Sequence, residues 1–303
     1  MAGMMTERLK DTQPDFQKAI KKKFGRKRYL AARYIPRYPM SAEREYRRVG
    51  RRYVNSVYSS IKKYITELEK EDFDSGYHAD AKPRFRSKRE IAKDMEHDFQ
   101  SALNKMDVDK DVDRISNFTR TQTLRQWGKS VQRTFGKEID FKHYKDLCEN
   151  KRSEWAYRGK ARLNGVFNWF KEKIIKTVGD AMDIGREVAE MVRKLIRDFL
   201  STMDRITADA IGKLNGMLSE LINLDSGCSK YIWKTMGDEK VRECHASFNG
   251  KIFEWNNPPE IWQSTAHGRK YTGRFCHPGG DYNCRCTAQT VFEIKRLNIA
   301  FAV

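Results

Sequence analysis

At 303 residues the chain is longer than one usual compact core and favours two domains, or one domain with a long extension. Its 60 Lys and Arg against 41 Asp and Glu leave a net charge of +19, which attracts polyanions, while 39% hydrophobic and 12% aromatic residues exclude a wholly disordered chain. No apolar run approaches the roughly 20 residues of a bilayer span, and residues 1–10 lack the apolar stretch of a secretory signal, so the expectation is a soluble protein with no membrane partner.

Residues 1–60 hold 16 Lys or Arg and 5 Asp or Glu, so much of the excess charge lies at the N-terminal end. From 1 to 40 the text is basic and aromatic, with Lys21, Lys22, Lys23, Arg26, Lys27 and Arg28 followed by Tyr34, Pro36, Tyr38 and Pro39. The prolines predict an extended basic arm, whose charge is expected either to contact nucleic acid or an acidic partner or to be that of a solvated tail. Ser41 suits an N-cap, and Tyr46, Val49, Tyr53, Val57, Ile61, Tyr64 and Leu68 alternate at spacings of three and four, predicting a long helix with one apolar stripe. Arg44, Arg47, Arg48, Arg51 and Arg52 crowd its first half and form a second candidate contact for nucleic acid or an acidic partner.

Ser87 with Glu90 makes a capping box ahead of Ile91, Met95, Phe99 and Leu103. Further helices are predicted over 111–135, 141–148, 153–178 and 180–224, with Trp127, Trp155, Trp169 and Phe170 as core. At Asp225-Ser226-Gly227 glycine, proline, cysteine and short β-compatible runs replace helical periodicity, so a boundary is expected near Leu224. The organisation expected is an arm over 1–40, a helical domain over 41–224 and a module over 225–303. In fold class this is mainly α: a long-helix N-terminal region plus a small α+β, Cys/His-containing C-terminal module.

Within that module the order runs Trp233, Thr235, Asp238, Arg242, His245, Gly250, Phe253, Pro258-Pro259, Cys276-His277-Pro278 and finally Asn283-Cys284-Arg285-Cys286. On a strand, Cys284 and Cys286 share one face and Arg285 takes the other. With His245, Cys276 and His277 they offer the thiolate and imidazole donors that suit a structural Zn²⁺. A disulfide from Cys276 to Cys284 or Cys286, and free buried thiols, stand beside that reading. Cys148 and Cys228 are expected as packed thiols.

This ordered set resembles the C-terminal domain of the Mu F-like minor head proteins of tailed phages, also called head morphogenesis proteins. Their pattern is a Trp-x-Thr segment, an Asp, Arg-x-x-His, a Gly, a Phe, a proline-bearing loop and a terminal Asn-Cys-Arg-Cys. It is matched here by Trp233, Asp238, Arg242, His245, Asn283, Cys284, Arg285 and Cys286. The likeness is close over about 55 residues, whereas Ile206-Thr207-Ala208-Asp209 departs from the Arg-Thr-Glu that the family often carries. The resemblance implies a non-enzymatic protein of the virion, in the capsid interior near the portal vertex, present in several copies. Its implied partners are the portal protein and packaged double-stranded DNA, and its implied roles are head assembly, packaging or ejection. A metal-dependent nuclease and a host-side DNA-binding protein are the alternatives; no carboxylate pair at metal-ligand spacing and no Gly-rich phosphate loop supports the former, and no base-reading motif the latter.

Overall fold

The computed structural model describes residues 13–24, 27–74, 87–179 and 185–302. Helix α1 is Gln13–Phe24, β1 Tyr29–Ala31, α2 Met40–Asp74, α3 Lys88–Asn104, α4 Val108–Phe135, α5 Phe141–Gly179 and α6 Gly185–Asp225. Shorter elements follow: β2 Lys230–Lys234, α7 Glu243–Phe248, β3 Ile252–Glu254, β4 Glu260–Thr265, β5 Gly268–Phe275 and β6 Thr287–Glu293. Long helices followed by a small strand-bearing part are the architecture that the periodicity predicts. Among the described residues no helix is long and apolar enough to cross a membrane.

Two compact units divide the chain, and neither is a continuous stretch. One takes Met1–Ala42, Ser116–Trp155 and Asp209–Val303; the other takes Glu43–Ile115 and Ala156–Ala208. This differs from the three consecutive segments expected, and no division falls at Leu224.

The reason lies in β6. Order β1-β6-β2-β3 puts it inside an antiparallel sheet, and all seven of its residues are buried, so both faces need cover. Residues 225–303 alone do not supply it. Phe292 packs against Trp127 and Phe135 of α4, with ring centroids 5.8 and 4.7 Å away, and the Tyr144 hydroxyl of α5 accepts from the Ala300 backbone N–H at 3.2 Å.

The N-terminal segment is also drawn in. The expected extended arm is a helix over Gln13–Phe24, where Pro14 sits in the first turn and removes no intrahelical hydrogen bond. Further along, β1 pairs with β6 in the register Tyr29↔Glu293, Leu30↔Phe292 and Ala31↔Val291. Gln289 Nε2 then donates to Ala32 O at 2.7 Å and Thr287 Oγ1 to Pro36 O at 2.8 Å. The proline argument holds for residues 32–39, which are non-helical and lie on the sheet. Residues 1–12, and Arg26, fall outside the described residues.

In the other unit the apolar stripe from Tyr46 to Leu68 is buried at every expected position. The Ser87–Glu90 capping box forms in both directions. Phe170 stacks on Phe199 with centroids 3.8 Å apart, and Phe99 meets Phe170 edge-on at 6.0 Å. Two helices predicted over 141–148 and 153–178 are one continuous α5, and Trp169, expected in the core, is 52% exposed beneath Lys173. The hairpin β4–β5 has no counterpart in the sequence-based expectation.

Within the first unit, buried Arg120 and Arg152 share the Glu149 carboxylate, and Arg152 Nη1 also reaches Ser116 Oγ at 2.7 Å. Arg152 foremost holds the Glu149 carboxyl at about 2, below its usual 4.5, so the associated stabilisation is full above pH 4.5 and is lost as the pH falls toward 2. Because that carboxylate is 45% exposed, Glu149→Gln should cost only about 1–2 kcal/mol at pH 7. Urea unfolding of both proteins at pH 7 and near pH 2.5 should show the difference shrinking in acid; an equal difference at both would contradict the pairing.

Candidate metal centre

Three side chains from two parts of the C-terminal region converge. Residues 243–248 form the six-residue helix α7 that carries His245, and the non-strand segment before β6 carries Cys284 and Cys286. His245 Nδ1 lies 3.7 Å from Cys284 Sγ and 3.7 Å from Cys286 Sγ, and the three donor atoms fall within 4.8 Å of one another. All three residues are buried, with 3–4% of their surface exposed. This group can hold a metal ion.

The donor set fits tetrahedral Zn²⁺. Bonds of about 2.3 Å to sulfur and about 2.0–2.1 Å to nitrogen at a tetrahedral angle separate sulfur from nitrogen by about 3.6 Å, close to the distances found. Two thiolates and an imidazole would be the protein's ligands, and among the described residues no fourth His, Cys, Asp or Glu joins the group. All six cysteines are free thiols, so the Cys276 disulfide alternative is not formed; Cys148 and Cys228 are packed thiols, as expected.

Cys276 and His277 do not belong to the cluster. His277 Nδ1 lies 3.0 Å from the Tyr231 hydroxyl and its Nε2 is 4.0 Å from Glu220 Oε1, so both nitrogens face away from the sulfurs. Cys276 donates its backbone N–H to Pro259 O, just ahead of the turn from His277 to Gly280, and is half-buried. Adjacency in the chain suggested them; the turn at Pro278-Gly279-Gly280 separates them from Cys284.

Behind His245 sits a residue missing from the expected site. Asp281, its carboxylate without exposed surface, has Oδ2 3.2 Å from His245 Nε2 and is held by Arg242 and by Arg274 Nη1, the latter at 2.6 Å from Oδ1. The imidazole N–H does not point squarely at the oxygen, so the contact is one of charge more than of directed hydrogen bonding. It nevertheless fixes which nitrogen meets the sulfurs, as carboxylates behind metal-binding histidines do. Burial would raise the Asp281 carboxyl, but His245, the Tyr282 amide and the two arginines hold it at about 2. Burial likewise lowers His245, yet Asp281 and Cys284 outweigh it and lift the imidazole to about 9. Cys284 is held well below the ordinary thiol range, first by the Cys286 thiol and then, against burial, by His245; Cys286 is pushed up in turn. These directions favour a Cys284 thiolate facing a protonated His245, and a cation bound there would displace the imidazole proton.

Each residue of the sequence motif has a physical task here. Trp233, fully buried on β2, lies 5.4 Å ring to ring from His245 and 5.1 Å from Phe248. Arg242 reaches both Asp281 and Tyr282 O, and Arg285 pairs with Asp238 at 2.7 Å. Asn283 adopts φ 48°, a left-handed conformation that asparagine tolerates, and its N–H donates to Asp209 Oδ1 at 3.0 Å. Asp209, in the segment that departs from the family pattern, thus anchors the cysteine loop.

Helix α6 seats that loop through Gly212 and Gly216. A Cβ on Gly212 would lie 2.6 Å from Cys284 O and one on Gly216 2.7 Å from Pro278 O, so only glycine admits the contact.

The other candidate contacts lie elsewhere. Lys21, Lys22 and Lys23 are in α1, with Lys22 and Lys23 exposed, as are Lys27 and Arg28. The arginines of α2 line one open cavity, but Arg47 pairs with Glu43 at 2.5 Å, Arg48 with Glu45 at 2.7 Å, Arg51 with Asp204 at 2.5 Å, and Arg52 with Asp111. Four of the five are neutralised by carboxylates, which weakens them as a DNA contact.

Replacing Asp281 by Asn should destabilise the protein by about 2–4 kcal/mol at pH 7, because Arg242 and Arg274 lose a buried partner while each stays partly exposed. Urea unfolding checks this, and a change below about 0.5 kcal/mol would contradict the role assigned to the carboxylate.

Residues 172–289 match the family described as phage Mu protein F like protein. An uncharacterized protein of Haemophilus influenzae is 29% identical over 134 residues, or 43% of this chain. The match spans only 27% of that relative's length. No solved structure matches the chain. The stretch that is similar to the phage Mu protein F like family runs from α5 along all of α6 and takes in Trp233, Asp209, Asp281 and the three converging donors.

Proposed function

We propose that the chain is a minor structural protein of a tailed-phage head that associates with the portal inside the capsid and acts in head assembly, DNA packaging or ejection. The family match over 172–289 is the observation that carries this reading. Net charge of +19 supports sequence-independent contact with packaged DNA. The protein works by binding, without a catalytic step. Asp281, the one carboxylate within 4 Å of His245 among the described residues, is occupied by His245 and two arginines and so is not free to activate water. In this role the cluster takes a structural Zn²⁺ that ties α7 to the cysteine segment ahead of β6.

Two measurements test the reading. Purified mature particles and portal-containing assembly intermediates should both carry the protein through a density gradient, and its absence from purified virions would refute the head assignment. Elemental analysis of the reduced protein should give about one zinc per chain, falling toward zero in Cys284→Ser and Cys286→Ser. Zinc near zero in the unaltered protein would remove the metal and leave the head assignment standing.

A further inference from the structure

A second polyanion surface stands out by what it lacks. Residues 16–42 contain no Asp or Glu, and neither do residues 114–137. The fold lays part of one on part of the other: Arg33 N donates to Thr134 Oγ1 at 3.1 Å, and Gln126 Nε2 donates to Arg37 O at 2.7 Å while its Oε1 accepts from Arg37 N. The strap 33–37 therefore runs along the C-terminal half of α4.

Arg125, Lys129 and Arg133 follow one another at i, i+4 on α4, so they share a face and rise about 6 Å from one to the next. All three are exposed, as are Arg33 and Arg37. None of the five has a carboxylate within ion-pair distance among the described residues, in contrast to four of the five arginines on α2. Between strap and helix stands Tyr34, whose ring centroid lies 5.1 Å from the Arg133 guanidinium and 5.9 Å from the Lys129 ammonium. The aromatic ring holds two of the cations apart without neutralising them. Like charges at i, i+4 weaken a helix by a few tenths of a kcal/mol per pair, and what meets them here is the Tyr34 ring and, for Arg133, the last turn of α4, not a carboxylate among the described residues.

We propose that this face, Arg33 and Arg37 of the strap with Arg125, Lys129 and Arg133 of α4, binds the phosphate backbone of duplex DNA without reading sequence. Duplex DNA is chosen over other polyanions because the proposal rests on the head-protein reading, in which packaged DNA is the abundant polyanion. Cations about 6 Å apart along the helix fall opposite about every second phosphate of a strand that bears one per 3.4 Å or so of axis. The contact moves away from the arginines of α2, whose charge is already spent on Glu43, Glu45, Asp204 and Asp111.

The test is fluorescence anisotropy of the full chain with a labelled 30-base-pair duplex of mixed sequence between 50 and 300 mM salt. Arg125→Gln/Lys129→Gln/Arg133→Gln should flatten the slope of log affinity against log salt by about 3 and raise Kd at 100 mM about tenfold or more. Arg33→Gln/Arg37→Gln, which leaves α4 untouched, should flatten it by about 2 and serves if the helix variant fails to fold. Arg48→Gln/Arg51→Gln should change it by less than 1. An unchanged slope in the folded helix or strap variant would overturn the proposal. So would tighter binding to polyglutamate of matched charge than to the duplex, which would assign the face to an acidic protein partner. Either failure leaves the virion sedimentation result, and with it the head assignment, untouched.

Discussion

A carboxylate with no exposed surface holds two arginines and a histidine in one place, and much of the C-terminal region is arranged around it. Asp281 meets His245 on one side and Arg242 and Arg274 on the other. Buried charge of this kind is costly unless each member is compensated, so the four residues specify one another. Once His245 is turned by Asp281, its Nδ1 faces Cys284 and Cys286, and a cation-ready pocket follows from electrostatics and loop geometry together.

The loop geometry depends on features that look incidental in the sequence. Gly212 and Gly216 let α6 approach Cys284 and Pro278, and Gly279, at φ 87°, turns the chain so that its own N–H points at Cys284 Sγ from 3.4 Å. Asn283 takes the left-handed conformation that brings Cys284 around. The family pattern is thus a set of positions at which one bend, one buried charge and one aromatic wall must coexist.

Much of this was legible beforehand, for physical reasons that also mark where legibility ended. The stripe from Tyr46 to Leu68 and the Ser87–Glu90 cap depend on local spacing, and both form as predicted. His245, Cys284 and Cys286 were visible as soft donors, but Asp281 was not singled out, since a carboxylate beside a motif says nothing of which way it points. His277 and Cys276 were included because proximity in the chain stood in for proximity in space. The arginines of α2 promised a free cationic face only because Asp204 and Asp111 are far away in sequence. The cations beside Tyr34 leave a compositional mark, the absence of acid over 16–42 and 114–137, but only the fold brings those two stretches together. The joining of the N-terminal segment to β6 rests on long-range strand pairing, which local periodicity does not encode.

His245, Cys284 and Cys286 are proposed as one metal centre, with the imidazole oriented by Asp281. X-ray absorption at the zinc edge of the purified full chain tests it most directly. Two sulfur neighbours at about 2.3 Å and at least one nitrogen at about 2.0–2.1 Å are expected, with the sulfur shell lost in Cys284→Ser/Cys286→Ser. A shell of oxygen and nitrogen alone, or a spectrum unchanged in the double variant, would contradict it.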